Sequence, residues 1–120
     1  MSLLMYLAAP YSDPEPIVIQ RRANQIDEIT AELLRNGFHV FSPITHCHWL
    51  AKNYGLPTGW EFWKEYDERM IRACDSVTVL QMEGWQTSVG VSAEVSYATK
   101  LGKYVHYYNL QTKIFSPKPD

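Results

Sequence analysis

Only two of the 120 residues are cysteine, Cys47 and Cys74, and they form no Cys-x-x-Cys pair. This excludes a disulfide framework and a thioredoxin-like redox motif, and both read as free thiols of a cytoplasmic protein. Positive charge is not in excess: eleven Lys and Arg stand against thirteen Asp and Glu, for a net charge of −2. A chain so balanced does not neutralise a phosphate backbone, which excludes a nucleic-acid polymer as partner. Long hydrophobic runs are missing too. The most apolar stretch, Leu3 to Ala9, is seven residues long, has no Lys or Arg before it, and ends at Pro10 and Asp13. It is too short to span a membrane and lacks the basic flank of a signal peptide, so it reads as a buried strand, and no membrane partner is expected. With 46% hydrophobic and 20% charged residues, disorder, coiled coil and collagen are excluded as well.

What is present is one domain's worth of alternating pattern. A chain of this size buries roughly two-thirds of its unfolded surface, enough for a single core without staples. Leu3–Ala9 is continuously apolar, as in a strand covered on both faces. A helix follows Pro16, with Ala23, Ile26, Ile29 and Leu33 at helical spacing and Gly37 as its stop. Phe38–Ser42 reads as a strand, Pro43–Gly59 as a long connection, Trp60–Cys74 as a helix and Ser76–Gln81 as a strand. Gly84–Ser88 turns into a helix that ends at Gly102, and Tyr104–Tyr108 is the fourth strand. Strands alternating with helices predict a small α/β, doubly wound (flavodoxin- or Rossmann-like) parallel sheet, order 2-1-3-4, with helices on both faces. The domain is expected over 1–111, with 112–120 a loose tail. In such sheets ligands bind beyond the carboxyl ends of the strands where the order reverses, here between the first and third strands. That rule selects the loops Ala9–Glu15 and Met82–Ser88.

Two acids fall on the wrong helical faces. Asp67 lies within the apolar stripe of Trp60, Trp63, Met70, Ile71 and Cys74; Glu94 lies within that of Val91, Val95, Ala98 and Leu101. Glu61, Glu65 and Glu68 lie off the stripe as ordinary solvent-facing charges. An inward carboxylate is costly unless paired or hydrogen-bonded. A structural network satisfies one such group; two, with Glu94 just inside a helix at the switch point, point to chemistry. The helix dipole is expected to keep Glu94 ionised, and a desolvated carboxylate in a cleft is a competent nucleophile or base.

The set Tyr6-Leu-Ala-Ala-Pro10, Asp67, Ala73-Cys-Asp75, Ser88-Val-Gly90, Glu94, Tyr97-Ala98 and Gly102-Lys103 resembles the nucleoside 2-deoxyribosyltransferase superfamily. That superfamily includes the deoxyribosyltransferases and the 2′-deoxynucleoside 5′-monophosphate N-glycosidases. The ordered spacing carries the likeness: eight residues from Asp67 to Asp75, thirteen to Ser88 and six to Glu94. The resemblance implies that Glu94 attacks C1′ and forms a glycosyl ester, resolved by a second base or by water. It implies that Tyr6 orients Glu94, that Asp67 sits by the sugar and leaving base, and that Ser88 stands at the 5′ end of the substrate. Ala8, Ala9, Pro10, Tyr11 and Gly90, on the loops of the switch point, are expected to bind substrate, and Asp75 to be structural. No cofactor is implied. The partner is a small-molecule nucleoside or nucleotide. The loop Pro10-Tyr11-Ser12-Asp13-Pro14-Glu15 departs from the phosphate-cradling loop of the monophosphate glycosidases, having two acids and no basic residue. It is expected to repel a phosphate. A nucleoside-binding sensor on the same fold is the alternative, though a pure binder has no need of the Tyr6, Asp67 and Glu94 set.

His46, Cys47 and His48 suggest a metal, since residues two apart in an extended segment face one side. A stable zinc site wants three or four ligands, and no partner sits at a recognisable spacing, so no metal is expected. His46, Cys47 and His48 are placed instead in the polar wall of the pocket, with histidine at a loop surface as the alternative. Trp85, beside the cleft after the third strand, and Trp49 are candidates to stack on a base. Trp60 and Trp63 read as core or subunit-contact residues. So much aromatic surface, together with the oligomeric habit that the resemblance implies, leads to an expected homodimer or higher homo-oligomer.

Overall fold

The computed structural model describes residues 3–120. Five strands form one sheet in the order β2-β1-β3-β4-β5. They are β1 (Leu4–Ala8), β2 (His39–Phe41), β3 (Ser76–Leu80), β4 (Tyr104–Tyr108) and β5 (Phe115–Ser116). The first four are parallel, with Tyr6 opposite Phe41 on one side and Val77 on the other. This is the expected doubly wound order. The tail departs from expectation: instead of hanging loose, Phe115–Ser116 pairs antiparallel to Tyr107 and Tyr108. Packing of the Phe115 ring against Tyr108, tilted by 51° with ring centroids 4.8 Å apart, accounts for the docking of so short a strand.

Four helices cover the sheet: α1 (Pro16–Arg35), α2 (Pro43–Tyr54), α3 (Trp60–Ala73) and α4 (Val89–Lys100). The pleat divides β1 between two cores. Tyr6 and Ala8 join Val77 and Val79 on one face, against Ile71 and Cys74 from the α3 side and Val91 and Ala98 of α4. Leu7 and Ala9 join Leu80 and Met82 on the other, against Ile26 and Leu33 of α1. Every residue of β3 is buried, as befits the central strand of a parallel sheet. Asp75 closes the strand entrance: its carboxylate accepts from the Leu4 amide at 2.8 Å, and its own amide donates to the Leu4 carbonyl at 2.8 Å. That is the structural role the sequence implied.

The largest departure is α2. The segment Pro43–Gly59, expected as an irregular connection, is mostly helix. Ser42 caps it, accepting from the Thr45 amide at 3.3 Å, proline occupies its first turn, and Gly55 ends it at φ 70°. His46 and His48 therefore do not share a side, because neighbours on a helix surface are three or four residues apart, not two. Residues 44, 47, 48 and 51 share one instead.

Candidate active site

A cleft of about 320 Å³ opens at the carboxyl edge of the sheet, at the reversal between β1 and β3. Its walls come mainly from the β1–α1 loop, the inner face of α2, and the amino-terminal parts of α3 and α4. Asp67 and Glu94 both line it. Their helical phases alone bring them inward: Asp67 is buried with Ile71 on α3, and Glu94 with Val91 and Ala98 on α4.

Tyr6 joins the two acids. It emerges from β1 fully buried, and its hydroxyl donates a short hydrogen bond to Glu94 Oε2. Asp67 Oδ1 is buried with no hydrogen-bond partner among the described residues. Burial raises all three groups. Glu94 stands well above the usual carboxylate range because it is desolvated; the Tyr6 hydrogen bond works against this, and the nearby Asp67 charge adds to it. Burial likewise lifts Asp67 to about 7, again opposed by Tyr6. The Tyr6 phenol is raised by its own burial and by the two acids, so it remains a donor. The expectation that the helix dipole holds Glu94 ionised needs correction. Glu94 is the sixth residue of α4, and the dipole's influence fades within the first turn. The phenol, not the helix end, is what favours its anion.

The end of α4 is built from Ser88. Its hydroxyl accepts from the Val91 amide at 3.2 Å, so Ser88 caps the helix while lining the cleft beside Gly90. Ala9 and Tyr11 line it from the β1–α1 loop, whereas Ala8 and Pro10 are buried and lie outside the lining. Three further predicted contacts are not in the cleft. His46 is exposed and stacks on Tyr66, with ring centroids 6.4 Å apart. Trp85 packs on the core, 5.7 Å from the Tyr107 ring. Trp49 is 65% exposed and lies off the cleft wall.

Of the expected polar wall, Cys47 and His48 do line the cleft, from α2. Several other lining residues were not foreseen. Ala51 also comes from α2, and the cap signature Ser42-Pro43 with Gly55 was the available signal for that helix. Trp60 and Trp63, read as core or contact surface, line the cleft, with the Trp63 indole donating to the Pro57 carbonyl at 2.7 Å. The surface argument for self-association loses those two residues. Arg22 is the most consequential. The loop has no cation of its own, but α1 supplies one: Arg22 donates to the Ser12 carbonyl at 2.8 Å and to the Tyr11 carbonyl at 3.4 Å, and lines the cleft. Gly84 makes room for it. A Cβ there would sit 2.7 Å from the guanidinium, and its φ of 92° already favours glycine.

Fold and cleft together define a Rossmann-like α/β protein with a cleft at the topological switch point, where folds of this class bind ligands. The chain belongs to the family DUF1937, described as a domain of unknown function, whose profile matches residues 4–110. No curated protein matches the chain.

Proposed function

We propose that the protein cleaves, or transfers at, the N-glycosidic bond of a nucleoside or nucleotide through a covalent glycosyl ester on Glu94. The observation that carries this reading is the buried Tyr6–Glu94 hydrogen bond beside an Asp67 oxygen without a partner, all at one cleft. Two buried acids side by side resist holding two charges, so the pair retains a proton at neutral pH. The phenol has one proton and donates it to Glu94 while Asp67 Oδ1 has no partner, so in the proposed reaction Glu94 carries the charge and Asp67 the proton. Environments that separate the two acids in this way divide nucleophile from acid.

In the first step a Glu94 oxygen bonds to C1′ as the C1′–N bond breaks. Asp67 passes its proton to the departing base, whose nitrogen takes the electron pair. In the second step water, or another base, attacks C1′ from the vacated face; Asp67 takes the attacking group's proton, and Glu94 leaves as the carboxylate. Two displacements retain configuration at C1′. Tyr6 steadies Glu94 throughout, stabilising the anion at the start and at release.

Covalent trapping tests this. With a 2-fluoro-substituted nucleoside analogue, intact-mass measurement should show one added sugar, and peptide mapping should place it on Glu94. A sugar adduct elsewhere in an active preparation, or full activity in Glu94→Ala, overturns the assignment.

A further inference from the structure

Lys52, Gln20, His48 and Tyr11 form a chain of hydrogen bonds that ends at the cleft wall, and its direction is set from the outer end. An ammonium group only donates. Lys52 Nζ lies 2.9 Å from the Gln20 side-chain oxygen, which therefore accepts. The Gln20 amide nitrogen is turned the other way and donates to Asn24 Oδ1 at 2.8 Å. His48 Nε2 lies 3.1 Å from the same Gln20 oxygen, so it must carry a proton. Burial, and then the Lys52 charge, hold His48 below its ordinary value, with the Asp27 charge opposing, so the ring is neutral at pH 7. In a neutral imidazole with Nε2 protonated, Nδ1 is bare. Nδ1 is 2.7 Å from the Tyr11 hydroxyl, which consequently donates to it. The phenol keeps that proton, because burial pushes it up to about 12.

Tyr11 and His48 both line the cleft. The backbone beneath Tyr11 is held as well, by Arg22 on the Tyr11 and Ser12 carbonyls and by Ser12 Oγ donating to the Thr58 carbonyl at 2.6 Å. With its proton committed to His48, the Tyr11 oxygen has only lone pairs to offer a ligand. We propose that Tyr11 is a specificity residue that accepts a hydrogen bond from the bound ligand, so that this wall selects a hydroxyl or amino donor and disfavours an acceptor. The inference rests on the nucleoside reading, in which the donor is a sugar hydroxyl or an N–H of the base.

The premise is testable without any ligand. Nitrogen-15 NMR of His48 at pH 7 should show Nε2 protonated and Nδ1 bare; the opposite tautomer, or an imidazolium, overturns the proposal whatever the protein binds. Ligand preference is then measured by calorimetry on the Glu94→Gln protein, which prevents turnover. The probes are the tightest-binding natural 2′-deoxynucleoside and its analogues lacking the 3′-hydroxyl, the 5′-hydroxyl or the base N–H donor. One analogue should bind roughly tenfold to a hundredfold more weakly, because it leaves the Tyr11 oxygen unpaired. Adding Tyr11→Phe should bring that ratio close to one, and the analogue affected identifies the source of the donor. Equal binding of all the probes, or a ratio that survives Tyr11→Phe, overturns the proposal. If no nucleoside binds although His48 has the stated tautomer, the nucleoside reading falls, and the ligand class named here falls with it.

Discussion

Replacing Asp67 by asparagine should make the protein more stable at pH 8 and leave its stability nearly unchanged at pH 4. Asp67 titrates near 7 in the folded chain against an ordinary value of 3.8, because burial disfavours its charge. The folded chain thus holds this proton more tightly than the unfolded one. Its stabilising contribution is complete below about pH 4, falls as pH rises towards 7, and is gone above that. A difference of about three pH units is worth roughly 4 kcal/mol at most. Glu94 shares the same burial and repulsion, and the new amide needs a partner of its own, so a gain of about 1–3 kcal/mol is expected at pH 8. Urea unfolding at pH 4, 6 and 8 measures it. With a slope of about 1–3 kcal/mol per molar urea, the midpoint at pH 8 should rise by roughly 1 M. A gain of equal size at all three pH values, or a loss at pH 8, would refute the ionisation argument. The same variant should lose turnover by a hundredfold or more if Asp67 is the proton donor of the proposed reaction.

Glu94→Ala should lower turnover by about a thousandfold or more while leaving the protein folded by circular dichroism, since it removes the nucleophile and a desolvated acid together. Tyr6→Phe should cost less, and it should move the acid limb of the pH–rate profile upward, because the lost hydrogen bond is the influence that lowers Glu94. Ser88→Ala should cost about 1 kcal/mol in urea unfolding through loss of the α4 cap. Gly84→Ala should destabilise by about 1–3 kcal/mol, combining a left-handed φ with displacement of the Arg22 guanidinium. An unchanged unfolding midpoint in Gly84→Ala would refute this reasoning, since the left-handed φ strains alanine even where the guanidinium moves aside.

Periodicity and punctuation are local properties, and what depended on them was legible in the chain. Apolar runs at β1 and β3, helical stripes between them and the alternation of the two led to a parallel 2-1-3-4 sheet. The inward phase of Asp67 and Glu94 needed nothing beyond 100° per residue, and their meeting followed from the sheet's reversal. The α2 helix was legible too, through Ser42, Pro43 and Gly55, but its polar His-rich middle masked the pattern. Other features belonged to tertiary structure alone. Trp60, Trp63 and Trp85 have the same affinity for a core or a cleft wall; only tertiary packing sent the first two to the cleft and the third against the core beside Tyr107. Arg22 reaches the β1–α1 loop across a turn of helix, ten residues from the Ser12 carbonyl it holds, and no local rule predicts that distance. The raised pKa values of Asp67 and Glu94 are likewise invisible in sequence, because desolvation is set by every element that closes over a side chain and not by its neighbours along the chain.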